Sequence, residues 1–267
     1  MDEIIRDYEA EIELQNALDE GYSVWVIGDV HGHSDALENL LSEIDPNPGD
    51  RLVFLGDLID RGPDSRMVIR IARNRTGTFV LRGNHEQMPA DGFSGERKRT
   101  WSPPILWLVN GGKQCLDSYR NDEGELNDDD FTEDLRWMLK LPHLFVLDDW
   151  VLAHAGIDPT ESLDDQTSAA CLWIRSAFHA ATRPVDPARA VVFGHTQTHN
   201  LLKCEPGDVA SSRIHLSDGR PLWLGIDTGV CDYHSGWLTA LDLASGVVIQ
   251  SKDDGTTRRR RPAFKRT

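Results

Sequence analysis

Ser23-Val24-Trp25-Val26-Ile27-Gly28-Asp29-Val30-His31-Gly32 joins an unbroken apolar run of strand length to a turn carrying a carboxylate and an imidazole between glycines. The pattern recurs. Arg51-Leu52-Val53-Phe54-Leu55 leads into Gly56-Asp57-Leu58-Ile59-Asp60-Arg61-Gly62, and Thr78-Phe79-Val80-Leu81 leads into Arg82-Gly83-Asn84-His85-Glu86. Unbroken apolar strands are those buried on both faces, as in parallel sheets. Between the first two, Leu37, Leu40, Leu41 and Ile44 fall at i, i+3, i+4 and i+7 of a helix that Ser34 can cap. Pro63 suits the first turn of the next helix, which runs through Val68 and Ile71. The order βαβαβ predicts an α/β fold with a mainly parallel sheet and right-handed crossovers. All three polar motifs then stand at carboxyl ends of strands, on the one sheet edge where open α/β folds bind ligands.

Working outward, residues 3–20 are polar, with Ile5, Tyr8 and Ile12 at helical spacing, which predicts a surface helix on the main body. Ile105-Leu106-Trp107-Leu108-Val109 reads as a helix stopped at Gly111-Gly112. Residues 121–130 read as an acidic loop, and Leu135, Met138 and Leu139 as a helix ended by Pro142. Further strands are expected at 144–147, 150–153, 190–193, 222–226, 237–241 and 247–249. No repeat of fixed period and no domain linker interrupts the chain. The second half therefore reads as a second sheet packed on the first, a two-sheet core covered by helices. The divisions expected are an N-terminal helical extension at 1–20, a catalytic domain at 21–252 and a basic, disordered tail at 253–267.

The chain has 267 residues, 39% of them apolar and 27% charged, as in globular proteins. No apolar run approaches the roughly 20 residues that span a bilayer. The start, Met1-Asp2-Glu3-Ile4-Ile5-Arg6, does not read as a secretory signal. Cys115, Cys171, Cys204 and Cys231 are far apart and form no Cys-x-x-Cys pair, so reduced thiols and a cytoplasmic location are expected. A net charge of -16 disfavours nucleic acid and anionic membrane as partners. It also disfavours phosphorylated ligands unless metals or arginines reverse the sign locally.

The strand ends supply such groups. Asp29, His31, Asp57 and Asn84 follow the first three strands, and His154 and His195 follow two later ones. Carboxylates, imidazoles and an amide carbonyl, with no thiolate, match Mn, Fe or Zn. Six such side chains exceed what one catalytic ion with open positions needs, and two ions sharing a carboxylate fit better. Each piece alone is weak, since a single His after a strand is more often a hydrogen-bonded core residue. The whole set at equivalent strand-end positions is hard to explain as packing. His33, His199 and His234 lie beside motifs and read as rim residues; His143, His179 and His215 read as structural.

Gly-Asp-Val-His-Gly, Gly-Asp-Leu-Ile-Asp-Arg-Gly and Arg-Gly-Asn-His-Glu, in this order and spacing, resemble the calcineurin-like metallophosphoesterases. The Asp60-Arg61-Gly62 ending and Glu86-Gln87-Met88 resemble the phosphoprotein phosphatases of that superfamily, in their bacterial and phage-type Ser/Thr branch. So do Trp107-Leu108-Val109-Asn110-Gly111-Gly112, Gly194-His195-Thr196 and Ile226-Asp227-Thr228-Gly229. The resemblance covers residues 24 to 242 and implies a four-layer fold with a two-sheet β-sandwich core flanked by helices.

It also implies roles. Asp29, His31 and Asp57 would hold one divalent ion, and Asp57, Asn84, His154 and His195 the other, with Mn the expected metal. A water or hydroxide between the ions would attack phosphorus in line. His85 would protonate the leaving alkoxide, oriented by Asp60. Arg61 would bind the phosphoryl oxygens together with Asn84, and Arg175 in Leu172-Trp173-Ile174-Arg175 is the expected second guanidinium. Phosphoproteins or phosphopeptides would be the substrates, approached past the acidic stretch 121–134 and Cys231-Asp232-Tyr233-His234. A symmetrical dinucleoside tetraphosphate hydrolase shares the fold and metals, but such enzymes carry Asp after Asn-His and lack the Asp of Asp-Arg-Gly, so Glu86 and Asp60 speak against it. A non-catalytic metal-binding module is the remaining reading, and the complete set of groups disfavours it. Asp227 is expected to fix a turn, and Arg82 and Glu86 to fix the loop.

Overall fold

In the first three strands, alternate residues divide cleanly between two cores. Val24 and Val26 of β1 (Val24–Ile27) belong to one cluster, while Trp25 and Ile27 belong to the other. Val53 and Leu55 separate likewise from Leu52 and Phe54 around β2 (Arg51–Phe54). That division is why these segments read as unbroken apolar runs, and it defines a sandwich. The computed structural model describes residues 4–90, 103–201, 204–232, 234–261 and 263–264.

β1, β2 and β3 (Thr78–Val80) are parallel neighbours. The second sheet is built from β4 (Leu144–Val146), β5 (Trp150–Ala153), β6 (Ala190–Phe193), β7 (Ala210–Ser211) and β8 (Trp223–Gly225). Its order is β4-β5-β6-β8-β7, with the three inner strands parallel and the two outer ones antiparallel. β9 (Leu238–Asp242), β10 (Val248–Ser251) and β11 (Thr257–Arg260) return to the first sheet, giving the order β11-β10-β9-β1-β2-β3. Val26 and Leu55 meet Leu152, Val192 and Leu224 in the core that joins the sheets. On the other face of the first sheet, α2 (Ser34–Ile44) and α3 (Ser65–Asn74) contribute Leu37, Leu40, Val68 and Ile69. The architecture is the α/β two-sheet core that the sequence predicts.

α1 (Tyr8–Asp19) has a different buried face from the expected one. Tyr8 and Ile12 are each 62% exposed, and Ala10, Leu14 and Ala17 are buried instead. Two alanines let the helix lie close, and its polar side chains complete the fit. Glu11 is held by Arg6 at 2.7 Å and accepts the Val146 amide at 3.0 Å, so α1 covers the β4 end of the second sheet. Its cap is Asp7, which accepts from Ala10 N at 3.0 Å. Ser34 does not cap α2. His33 occupies the cap position, and Asp253 accepts from Ala36 N at 3.1 Å.

The basic end is structured, against the expectation for 253–267. β11 pairs antiparallel with β10, Val248 opposite Arg260. Arg258 lies 3.8 Å over the Trp237 ring and donates to Gln250, Arg260 pairs with Asp208, and Phe264 packs against Trp150 at 4.9 Å. Arg258 and Arg260 thus each have an acceptor or a ring, so these two do not behave as solvated charges. Residues 262 and 265–267 of that segment lie outside the described residues, as do 1–3.

Gly111-Gly112 stops a helix, as expected, because Gly111 leaves the helical conformation. After α4 (Asn84–Gln87), the helix that opens with α5 (Ile105–Trp107) breaks at Gly111, and α6 (Lys113–Ser118) starts beyond the kink. Gly111 absorbs the kink with φ 113°. The acidic loop is shorter than expected, because α7 (Asp128–Met138) begins inside it, capped by Asn127. Three of its acids are paired on the protein itself: Asp130 with Arg66, and Glu133 and Asp134 with Arg73. Two short helices not expected from the sequence, α8 (Ser168–Trp173) and α9 (Ser176–His179), precede β6.

Candidate active site

Each expected ligand stands just beyond a strand, and each is buried: Asp29, His31, Asp57, Asn84, His154 and His195 are no more than 8% exposed. The backbone is forced to bring them there. His31, Asp57, Asp60, Arg61 and His195 all have φ between 46° and 76°, the left-handed region that costs a residue with a side chain roughly 1–3 kcal/mol. Among the described residues the only other non-glycine with positive φ is Asp45, at the end of α2. The flanking glycines make room. A Cβ at Gly83 would lie 2.2 Å from Asp57 Oδ1, and one at Gly194 would lie 2.1 Å from Asp29 Oδ1.

Glu86 ties two loops together. It accepts the amides of Asp57, Leu58 and Gly83, each at 2.8 Å. Arg82 reaches Gln87 at 3.0 Å and the Leu139 carbonyl. Both fix the loop, as expected.

Lone pairs converge in this site. His154 Nδ1 donates to the Leu55 carbonyl at 3.0 Å, which leaves Nε2 as an acceptor. That Nε2 lies 2.9 Å from Asn84 Oδ1 and 3.4 Å from Asp57 Oδ1, which are acceptors too. His195 Nδ1 is 2.8 Å from the same Asn84 oxygen, and its buried Nε2 has no hydrogen-bond partner among the described residues. Burial lowers the pKa of His154 to about 3 and, with the help of His154, that of His195 to about 2, so both rings are neutral at neutral pH. His195 can give its one ring proton to Asn84, but the His154 Nε2 lone pair still faces the Asn84 and Asp57 oxygens, an arrangement that suits a cation.

On the other side, His31 Nδ1 donates to the Ile59 carbonyl at 2.9 Å and turns Nε2 toward Asp57 Oδ2 at 3.6 Å and Asp29 Oδ2 at 3.9 Å. Asp57 thus presents one oxygen to each side, and it belongs to both clusters of potential metal ligands, His31–Asp57–His85 and Asp57–His154–His195. Burial, with Asp227 and Asp57 nearby, raises the Asp29 pKa; burial and Glu86 raise that of Asp57. Buried acids that repel one another and imidazoles kept neutral make a donor set suited to two divalent ions.

His85 adjoins Asn84 but turns to other partners. Its Nδ1 is 2.6 Å from Asp60 Oδ2, and Arg61 Nη2 donates to its Nε2 at 2.8 Å. Arg61 Nη1 donates to His31 Nε2 at 2.7 Å. Arg61 and Arg175 are both exposed, at the mouth of a buried site. Arg175 donates to Thr196 Oγ1 at 2.8 Å, one residue past His195.

Of three further neighbours, Trp107 was not read from the sequence as part of the site, Cys231 was expected along the substrate approach, and Asp227 was expected to fix a turn. Trp107 donates its indole N–H to both oxygens of Asp60, at 3.0 and 2.9 Å. Half-buried Cys231 hydrogen-bonds the Arg61 side chain, and burial pushes its thiol up to about 12. Asp227, which accepts Gly229 N at 3.0 Å and so fixes a turn, also stands close enough to Asp29 to raise its pKa. Tyr233, expected in the groove beside Cys231, lies outside the described residues. His143 exchanges bonds with the Ile5 backbone and His179 stacks on Phe193 at 5.1 Å, both structural as expected.

Two packed mixed sheets with a cation-holding donor set at their strand ends, guarded by guanidiniums, define a metal-dependent hydrolase of phosphate esters. The chain belongs to the calcineurin-like phosphoesterases, whose family model matches residues 22–199. It is 28% identical over 213 residues to serine/threonine-protein phosphatase 2 of Escherichia coli, covering 74% of this chain and 88% of that one. It is 32% identical over 143 residues to the symmetrical bis(5'-nucleosyl)-tetraphosphatase of Xylella fastidiosa, covering 51% of this chain and 43% of that one. The solved structure of a Saccharomyces cerevisiae protein serine/threonine phosphatase superimposes with a TM-score of 0.56 over 95% of this chain and 86% of that one, at 16% identity, which establishes a shared fold.

Proposed function

We propose that this phosphoesterase removes phosphate from phosphoproteins, with serine or threonine, or tyrosine, as the phosphorylated residue. The observation that carries the reading is the Asp60–His85 pair at 2.6 Å, set beside Arg61. A phosphoserine leaves as a strongly basic alkoxide and needs a proton as the bond breaks. A carboxylate on Nδ1 fixes the ring, and Nε2, which here accepts from Arg61, is the atom we assign to the leaving oxygen once Arg61 turns to the phosphate.

The ions we assign to the site are two, Mn by preference and Fe or Zn otherwise, held by Asp29, His31 and Asp57 and by Asp57, Asn84, His154 and His195. When bound they supply charge stabilisation and a water of lowered pKa. The chain does the rest. Arg61 and Arg175 grip the equatorial phosphoryl oxygens as planar forks, with Asn84 beside them. Burial of the ligands excludes bulk water and strengthens every charge interaction with the transition state. Phosphopeptides are the partners this reading requires, nucleic acid and membrane surface are not, and the cytoplasm is the compartment it favours. No helix among the described residues is long and apolar enough to cross a membrane.

The similarity to symmetrical bis(5'-nucleosyl)-tetraphosphatase favours a second reading, cleavage of dinucleoside tetraphosphates. There the leaving group is a nucleotide phosphate, which is weakly basic and gains little from an acid. The test is turnover of a phosphopeptide against diadenosine tetraphosphate by the same metal-loaded preparation. A higher kcat/KM on the phosphopeptide supports the first reading; a higher value on the dinucleotide replaces it with the second.

A further inference from the structure

The groups assigned to phosphate and proton chemistry, Asp60 and Arg61, lie on a left-handed stretch of backbone, φ 76° and 68°. Such a stretch persists only where its surroundings hold it. Two contacts from one short segment do so. Trp107 closes on the Asp60 carboxylate from α5, and Arg61 N donates to the Gly111 carbonyl at 3.2 Å. Trp107 and Gly111 stand four apart at the end of this helix, which breaks at Gly111, so one short segment reaches both Asp60 and Arg61. Gly111 itself must lack a side chain, since a Cβ there would lie 2.5 Å from Arg61 N and 2.7 Å from its Cγ.

We propose that Trp107 is a positioning residue of this phosphatase, acting through Asp60 on the orientation of His85. The proposal rests on the phosphomonoesterase reading above. Its physical basis is the division of acceptors on Asp60. A carboxylate that receives only His85 can rotate about its Cβ–Cγ bond and carry the imidazole with it. The indole N–H, shared by both oxygens, pins the carboxylate plane. The remaining contacts are consistent with that role. Trp107 is fully buried and stacks on Phe131 at 5.7 Å and 22°, so the ring cannot swing away. Asp60 N is itself held by Ser65 Oγ at 2.9 Å. The chain Phe131–Trp107–Asp60–His85 therefore runs from the α7 packing to the leaving-group side of the site.

The test is Trp107→Phe, which keeps the stacked ring and removes the N–H. Loss of orientation at the acid should matter most where the leaving group is basic. On a phosphoserine peptide kcat should fall about tenfold or more, on p-nitrophenyl phosphate by less than about threefold, with KM and metal content near wild type. Equal losses on both substrates, or no loss on either, would overturn the proposal, because a merely structural defect lowers both alike. If the variant does not fold, the zinc-loaded wild-type protein still decides the matter by nuclear magnetic resonance. The Trp107 indole proton should be shifted downfield and slow to exchange, and should move upfield in Asp60→Asn; an indole proton that ignores that change would contradict the proposal. A protein inert on every phosphomonoester would instead refute the proposed function, leaving the indole measurement to report on the Trp107–Asp60 bond alone.

Discussion

Asn84 and His85 are consecutive, yet they serve different partners: the Asn84 carbonyl faces His154 and His195 at 2.9 and 2.8 Å, while the His85 ring faces Asp60 at 2.6 Å. One turn at the start of α4 thus separates the residue proposed to hold metal from the one proposed to deliver the proton. His85→Asn should lower kcat by about 10²–10⁴ while leaving metal content unchanged. Elemental analysis beside steady-state kinetics checks both halves; loss of metal in this variant would refute the division.

Asp57 offers Oδ1 to the His154 side and Oδ2 to the His31 side. Asp57→Ala should therefore weaken both ions, whereas Asp29→Ala should weaken one. Calorimetric titration with Mn gives the stoichiometry, and equal losses in the two variants would contradict a shared carboxylate.

Metal loading should release protons from carboxylates and not from imidazoles. In the metal-free chain, burial raises the Asp29 and Asp57 pKa values and lowers those of His31, His154 and His195. The carboxylates thus hold their protons more tightly than free ones, so any protons the ions displace come from them and not from the rings, which are already neutral. The sign for stability follows: a carboxylate with a raised folded pKa favours the metal-free fold at low pH and loses that contribution as pH rises through the folded value. Proton release and the stabilisation gained from metal should be read by calorimetry in buffers of different ionisation enthalpy. Release that follows a histidine titration would overturn this account.

Much of the site was legible because strand ends in a parallel sheet share one edge, so Asp29, Asp57 and Asn84 could be placed together from spacing alone. The two-sheet core was legible from apolar runs buried on both faces. What escaped depends on contacts between distant residues. Asp253 caps a helix 217 positions away at Ala36, and the face of α1 was misread because small Ala10 and Ala17, not Tyr8 and Ile12, make the contact. Trp107 gave no sign of reaching Asp60, since the contact depends on how a helix docks on a loop 47 positions away in sequence. The arginines of β11 read as a solvated tail because their partners, Trp237, Gln250 and Asp208, come from other strands and loops.

That last correction is testable. Phe264 is 7% exposed and belongs to the core between the sheets. Phe264→Ala should destabilise the fold by about 3 kcal/mol, as large-to-small core changes do, read as a lower urea midpoint. An unchanged midpoint would return the segment to the status of a loose tail.

Arg175 is held by Thr196 beside His195. Arg175→Ala should lower kcat/KM by about tenfold or more, the loss expected for one charged hydrogen-bond donor, and weaken inhibition by inorganic phosphate. Unchanged phosphate inhibition would exclude it from the phosphoryl site.

The central claim is that this centre hydrolyses phosphomonoesters with bound divalent metal. The direct measurement is phosphate release from a phosphopeptide and from p-nitrophenyl phosphate by Mn-loaded protein, before and after chelation. The account predicts release from both that chelator abolishes and Mn restores. A fully loaded protein that releases phosphate from neither substrate would contradict it.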